Sequence, residues 1–168
     1  MNNETKKKLI LLVILSLYAY IVILSLFSVG DNPIFYFISL FALIGLLSMS
    51  IAAIMTPFAV KLYKLYGKSF IKLHHLFSLT GLVLITLHPL LLAVYVANPL
   101  VFLPDFSSWL AFWELAGRPA LILIYIAVLA ALLRKIYQKS WKMVHALVYI
   151  ALIFGIIHGT LIGTNFSN

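Results

Sequence analysis

Five histidines are the residues of this chain best able to do chemistry: His74, His75, His88, His145 and His158. Imidazole is polar, titrates near neutrality and binds metals, so its place inside an apolar stretch such as IKLHHLFSLTGLVLITLHPLL, residues 71–91, needs a reason. Spacing offers one. His74 and His88 lie fourteen residues apart, about 21 Å along a helix, and fourteen steps of about 100° return to within roughly 40° of one face. In MVHALVYIALIFGIIHG, His145 and His158 lie thirteen apart, about 20 Å, which leaves the rings roughly 140° apart on an ideal helix. That helix is expected to bend or locally widen, with Gly155 and Gly159 as the places for it, and Pro89 bends the first. If both helices cross one membrane in the same sense, His74 falls at the depth of His145, and His88 at the depth of His158.

Two imidazoles facing each other at each of two depths can ligate two haem irons stacked across a membrane. A lone intramembrane histidine is more often a hydrogen bond between helices. Repetition of the pair at matched depths favours ligation. Of the neighbours His74 and His75 only one can point inward, and His74 is the expected ligand. Cysteine is absent, which removes disulfides, iron–sulfur clusters, thiolate haem ligation and covalent haem attachment. No Gly-rich dinucleotide fingerprint occurs either.

The elements that must carry these histidines are read from composition. Apolar residues make up 64% of the chain and charged residues 10%, far too apolar for a soluble domain of this length. Five stretches are long enough to cross a hydrocarbon core of about 30 Å: about 9–29, 33–55, 70–97, 119–136 and 141–162. In the fourth, Arg134 and Lys135 must snorkel. The expectation is an all-α polytopic membrane protein, a single integral domain over 1–168 with a four-helix haem-binding core over about 33–163. The first span is too long for a signal peptide, and no clear cleavage site follows it.

Basic residues set the orientation. With a cytoplasmic amino terminus, Lys6, Lys7, Lys8, Lys61, Lys64, Lys68, Lys72, Arg134, Lys135, Lys139 and Lys142 fall inside and only Arg118 outside, where Asp31, Asp105 and Glu114 also lie. The net charge of +8 is thus a topology signal, not a sign of nucleic-acid binding. Between the third and fourth spans, DFSSWLAFWELAGRP reads as a short helix starting near Asp105 or Ser107 and ending at Gly117, with Trp109, Phe112, Trp113 and Ala116 on one face.

The two histidine pairs, with WKMVHALVYIALIFGIIHG around the second and Arg118–Pro119 leading into the fourth span, resemble the ferric-reductase-like transmembrane domain over about residues 55–163. That superfamily includes the membrane parts of NADPH oxidases and metalloreductases, and the haem subunit of the bacterial methionine sulfoxide reductase system, which the Arg–Pro and W-x3-H-x-L-V-Y features resemble most. The resemblance implies two b-type haems, His74 with His145 holding the inner one and His88 with His158 the outer, and electrons passing outward. Propionate contacts would fall to Lys72 and Lys142 inside and to Arg118 outside.

Oxidases and metalloreductases of that kind append a flavin and nicotinamide domain, whereas this chain stops at TLIGTNFSN on the outer side. The donor is therefore expected to be separate: a flavoprotein, a flavin at the cytoplasmic surface, or quinol. The acceptor would be an outer-side protein, ferric iron or oxygen, reached by outer-sphere transfer because bis-histidine iron has no open position. Each ring N–H is expected to donate to a backbone carbonyl or a threonine hydroxyl, with Thr86 and Thr160 nearest in sequence. The competing expectation is a membrane sensor, helper or channel that binds one haem, or whose histidines only bond between helices. Isoleucine, lysine and asparagine usage suggests a prokaryotic cell membrane.

Overall fold

The computed structural model describes residues 2–27, 32–67, 69–136 and 138–162. It consists of α1 (Asn3–Phe27), α2 (Pro33–Met55), α3 (Ala59–Tyr66), α4 (Ser69–Tyr95), a 3-10 turn over Pro99–Phe102, α5 (Trp109–Glu114), α6 (Gly117–Leu132), α7 (Trp141–His145) and α8 (Leu147–Ile162). No strand occurs among the described residues. Val29, Asp31, Lys68 and the tail from residue 163, all used in the sequence reading, lie outside them.

Four stretches are long and apolar enough to cross a membrane, Asn3–Leu26, Pro33–Met55, Phe70–Tyr95 and Trp141–Ile162, which is compatible with an integral membrane protein. Their outward faces carry bare apolar side chains, such as Leu12 and Leu79. The fourth expected span is shorter than its sequence suggested. α6 has 16 residues, about 24 Å of rise, and stops at Leu132. Leu133 (φ −85, ψ 12) leaves the helix and puts Arg134 and Lys135 into the turns that follow. Two adjacent cations are thereby removed from the apolar segment instead of having to snorkel from within it.

The chain divides into two compact units, Met1–His88 and Pro89–Asn168. In the first, α2 opens on Asn32, whose side chain accepts the Ile34 N–H at 3.1 Å, with Pro33 supplying a helical φ. α1 and α2 are joined through the fully buried Ser48. Its hydroxyl donates to the Ile44 carbonyl (2.8 Å), which leaves the oxygen to accept from the Tyr18 hydroxyl (2.6 Å). α2 and α4 approach so closely at Gly45 and Gly81 that neither has room for a side chain. A Cβ on Gly81 would stand 2.6 Å from Met49 Cγ and 2.9 Å from Met49 N, and one on Gly45 would stand 2.9 Å from Ile85 N. The segment between α2 and α4, which lies outside the expected spans, contains α3, which ends at Gly67 (φ 67), a left-handed conformation that glycine adopts without penalty.

The second unit packs α6 on α7 and α8 through buried small and branched side chains, Ala116, Ala120, Ile124 and Ala127 against Ala151 and Leu152. The short helix before it is capped later than either expected start, one residue after Ser107 and three after Asp105. Ser108 is its cap, accepting the Ala111 N–H at 3.0 Å, whereas Asp105 instead accepts the Ser107 N–H at 2.8 Å. Gly117, expected at its end, is the first residue of α6. Phe112 and Trp113 of α5 meet Phe154 of α8 edge to face at 6.1 and 5.3 Å. Trp109 is 78% exposed.

Candidate functional site

All four candidate histidines are half-buried, and each places Nδ1 against a main-chain carbonyl of another helix in its own unit. In the first unit, His74 Nδ1 lies 3.2 Å from the Ala52 oxygen and His88 Nδ1 lies 2.9 Å from the Ile38 oxygen. In the second, His145 Nδ1 lies 3.0 Å from the Ala127 oxygen, and His158 Nδ1 bonds the Glu114 oxygen. A carbonyl can only accept, so Nδ1 is the protonated nitrogen in every ring and the lone pair sits on Nε2.

The registers are regular. The carbonyls of Ile38 and Ala52 are fourteen residues apart, as are His74 and His88, so one antiparallel register makes both bonds. Gly45 and Gly81 stand midway, seven residues from each end, and each would bring a Cβ to 2.9 Å from a backbone nitrogen of the other helix. In the second unit, Glu114 and Ala127 are thirteen apart, as are His145 and His158. There the buried Ala120 and Ala151 occupy the middle.

The helix tightens within the thirteen-residue spacing, and neither Gly155 nor Gly159 is the place. It breaks at Ala146 (φ −65, ψ −13), immediately after His145, and the Tyr149 N–H returns three residues to the Ala146 carbonyl at 3.0 Å. Such a turn advances about 120° per residue rather than 100°, so three residues recover roughly 60° of the 140° in the direction of overwinding. Bonds of the same kind, Ala116 N–H to the Trp113 carbonyl (3.2 Å) and Arg118 N–H to the Leu115 carbonyl (3.0 Å), interrupt the partner between α5 and α6.

An aromatic ring lies one turn before the first histidine of each pair: Phe70 against His74 at 6.5 Å and Trp141 against His145 at 6.2 Å. At the other end of the second pair, the His158 ring lies on Gly117. A Cβ there would stand 2.7 Å from His158 Cδ2 and 2.9 Å from Nε2. Any side chain at 117 would displace the imidazole.

No family model, no curated protein and no solved structure matches the chain. Its functional reading therefore stands on its own residues. Among the described residues, no group of three or more His, Cys, Asp or Glu side chains could hold a metal ion. Donation of one ring N–H to a carbonyl, which fixes the orientation of the imidazole, is an arrangement common to metal-binding and to purely structural histidines.

The remaining sequence candidates fall as follows. His75 is exposed, beside the half-buried His74. Lys72 and Lys142 are exposed, and the Lys142 ammonium sits 5.9 Å from the Trp141 ring. Arg118 Nη1 donates to the Leu103 carbonyl at 2.9 Å and the Leu100 carbonyl at 3.4 Å, tying the 3-10 turn to the start of α6. The Thr86 and Thr160 hydroxyls donate to carbonyls of their own helix, Leu82 at 2.7 Å and Ile157 at 2.8 Å. The Nδ1 partner of each of the four histidines is a main-chain carbonyl. The sequence pattern had Trp141 only as the first residue of W-x3-H-x-L-V-Y and Gly117 only as a helix end; their places beside His145 and His158, and that of Phe70 beside His74, were missed. The rings were visible as an aromatic four residues before the first histidine of each pair; the role of Gly117 was not, because it depends on a contact forty-one residues away.

Proposed function

We propose that this protein is an electron-transfer component of a prokaryotic cell membrane, with five spans, a cytoplasmic amino terminus and two haems b. The observation that carries the reading is the fourfold repetition of one imidazole geometry, Nδ1 held by a main-chain carbonyl, twice per unit at one internal spacing. By sequence depth, His74 and His145 serve the inner haem and His88 and His158 the outer. α6 completes a fifth crossing with the turns that flank it. The order of spans and histidines resembles the ferric-reductase-like membrane domain.

Haem, when bound, supplies a one-electron couple. The chain supplies the rest. Each carbonyl holds its imidazole in the Nδ1–H form, orients the Nε2 lone pair and raises ligand basicity. Apolar packing by Phe112, Trp113 and Phe154 keeps water from the His158 end. His74, His88, His145 and His158 would hold the haems, and with two imidazoles on each iron the chemistry supplied would be outer-sphere electron transfer, from a cytoplasmic-side flavoprotein, flavin or quinol to an outer acceptor: a protein, ferric iron or oxygen. Lys72, Lys142 and Arg118 are assigned to haem propionates.

The test is a dithionite-reduced minus oxidised spectrum of purified protein with a pyridine haemochrome count per chain, on wild type and His145→Ala. Two b haems falling to one or none support the relay. Colourless wild type from haem-replete cells overturns it. The same four bonds favour a second reading, in which the histidines act only as fasteners between helices of a non-enzymatic membrane protein. Colourless but folded protein, destabilised by each His→Ala change, is its signature.

A further inference from the structure

We propose that the first unit binds one anionic phospholipid, an acyl chain lying in the open apolar groove between α1, α2 and α3 and the phosphate meeting Lys61 at its rim. The groove has a volume of about 410 Å³, within the roughly 300–1,000 Å³ typical of small-molecule sites. Ile10 and Ile14 of α1, Ile51 and Met55 of α2 and Leu62 of α3 line it, and the lining is apolar throughout. Such a wall accepts hydrocarbon and offers nothing to a polar ligand.

One lining residue carries charge. The Lys61 stem forms part of the wall, while the residue as a whole is exposed and its ammonium lies 5.8 Å from the Phe58 ring centroid. A cation at the mouth of a hydrocarbon slot has the chemistry of an anionic lipid site, tail inside and headgroup at the rim. The surroundings reinforce the charge. α1 begins with Lys6, Lys7 and Lys8, and α3 also carries Lys64. α1 and α3 are in contact, and the Lys7 charge partly offsets the upward push of burial on the Tyr66 hydroxyl. This site is independent of the histidines and of whether haem binds.

The test is native mass spectrometry of the full-length protein in detergent, with phosphatidylglycerol and phosphatidylcholine of matched chains supplied in equal amounts. Wild type is expected to retain phosphatidylglycerol about fivefold over phosphatidylcholine, the worth of one lysine at a membrane surface. Lys61→Gln, an exposed change that leaves the fold intact, is expected to bring the ratio to about one and keep binding. Ile14→Trp, which fills the groove, is expected to lose both lipids. Equal retention of the two lipids by wild type overturns the proposal, as does an unchanged ratio in Lys61→Gln. Preferential capture of a neutral isoprenoid lipid from a mixture overturns it too.

Discussion

The α2–α4 pair of the first unit and the α6–α7–α8 assembly of the second make the same two bonds by different means. In the first, the histidines are fourteen residues apart on one helix, and their carbonyl acceptors lie fourteen apart on the unbroken α2. In the second, both spacings are thirteen and both partners are interrupted, at Ala146 and between α5 and α6. Fourteen suits an ordinary α-helix almost without adjustment, whereas thirteen does not. What the two share is the pairing of imidazole with carbonyl, so the helices conform to the bonds. The middles differ as well: glycine on glycine brings the first pair into backbone contact, whereas buried alanines fill the second.

The strongest way to break this comparison is at the middle of the first pair. Gly81→Leu would put a side chain where Met49 N already stands 2.9 Å from a bare Cβ position, and one substitution would part both histidine bonds of that unit. The expected cost is about 3 kcal/mol or more, from overpacking and two lost interhelical bonds. Ala151→Leu in the second unit, with no glycine opposite, is expected to cost less. Melting in detergent, followed by circular dichroism, ranks the two. Equal losses would mean that the glycines do not set the approach of α2 to α4.

Next in size is Gly117→Ala, expected to cost about 1–3 kcal/mol and to act at one histidine only. The methyl would push the His158 ring off the Glu114 carbonyl and leave the His145 bond intact. Side-chain 15N spectra distinguish this from a general loss of packing. His158 is expected to lose its fixed Nδ1–H form while His145 keeps its own. If haem is bound, one of the two reduction steps shifts and the other stays. Both signals moving together would remove the special role of Gly117.

Single histidines come third. His74→Ala is expected to cost about 0.6–2 kcal/mol, the range for an interhelical hydrogen bond in a membrane protein, and His75→Ala about nothing. The pair checks which neighbour is fastened, again by melting. A larger effect from the exposed His75 would reverse the assignment.

How far the sequence reached is clearest at these residues. Hydropathy located the long helices, because twenty apolar residues leave few alternatives in lipid or in a core. It failed at α6, where Arg134 and Lys135 follow the helix instead of ending it, and at α3, a helix that lies outside the expected spans. Imidazole spacing located the candidate site, since depth along a helix is linear in residue number. The break at Ala146 was illegible, because periodicity reports the deficit of 140° and not where the chain tightens. The carbonyl acceptors were equally hidden. Any main-chain oxygen can serve, so no residue type marks Ala52, Ile38, Ala127 or Glu114.

The segment before α5 has no counterpart in the first unit, and it gives the smallest expected effect. Asp105 accepts the Ser107 N–H, and that bond, with help from the Ser107 side chain and the Arg118 charge, holds its carboxyl below the ordinary value. A group whose pKa is lowered by folding contributes stability that is present above its unfolded pKa and is lost as pH falls through its folded one. Acid should therefore loosen this turn first, below the ordinary carboxylate range, while the histidine–carbonyl bonds of both units persist. Because the carboxyl is fully exposed, the change is local and global melting barely moves. Hydrogen exchange at the Ser107 amide, followed down to about pH 2, is expected to lose protection in wild type. In Asp105→Asn, whose side chain accepts the same bond without titrating, protection should not vary over that window. Equal acid sensitivity in the two proteins would assign the turn's stability to its neighbours and not to the carboxylate.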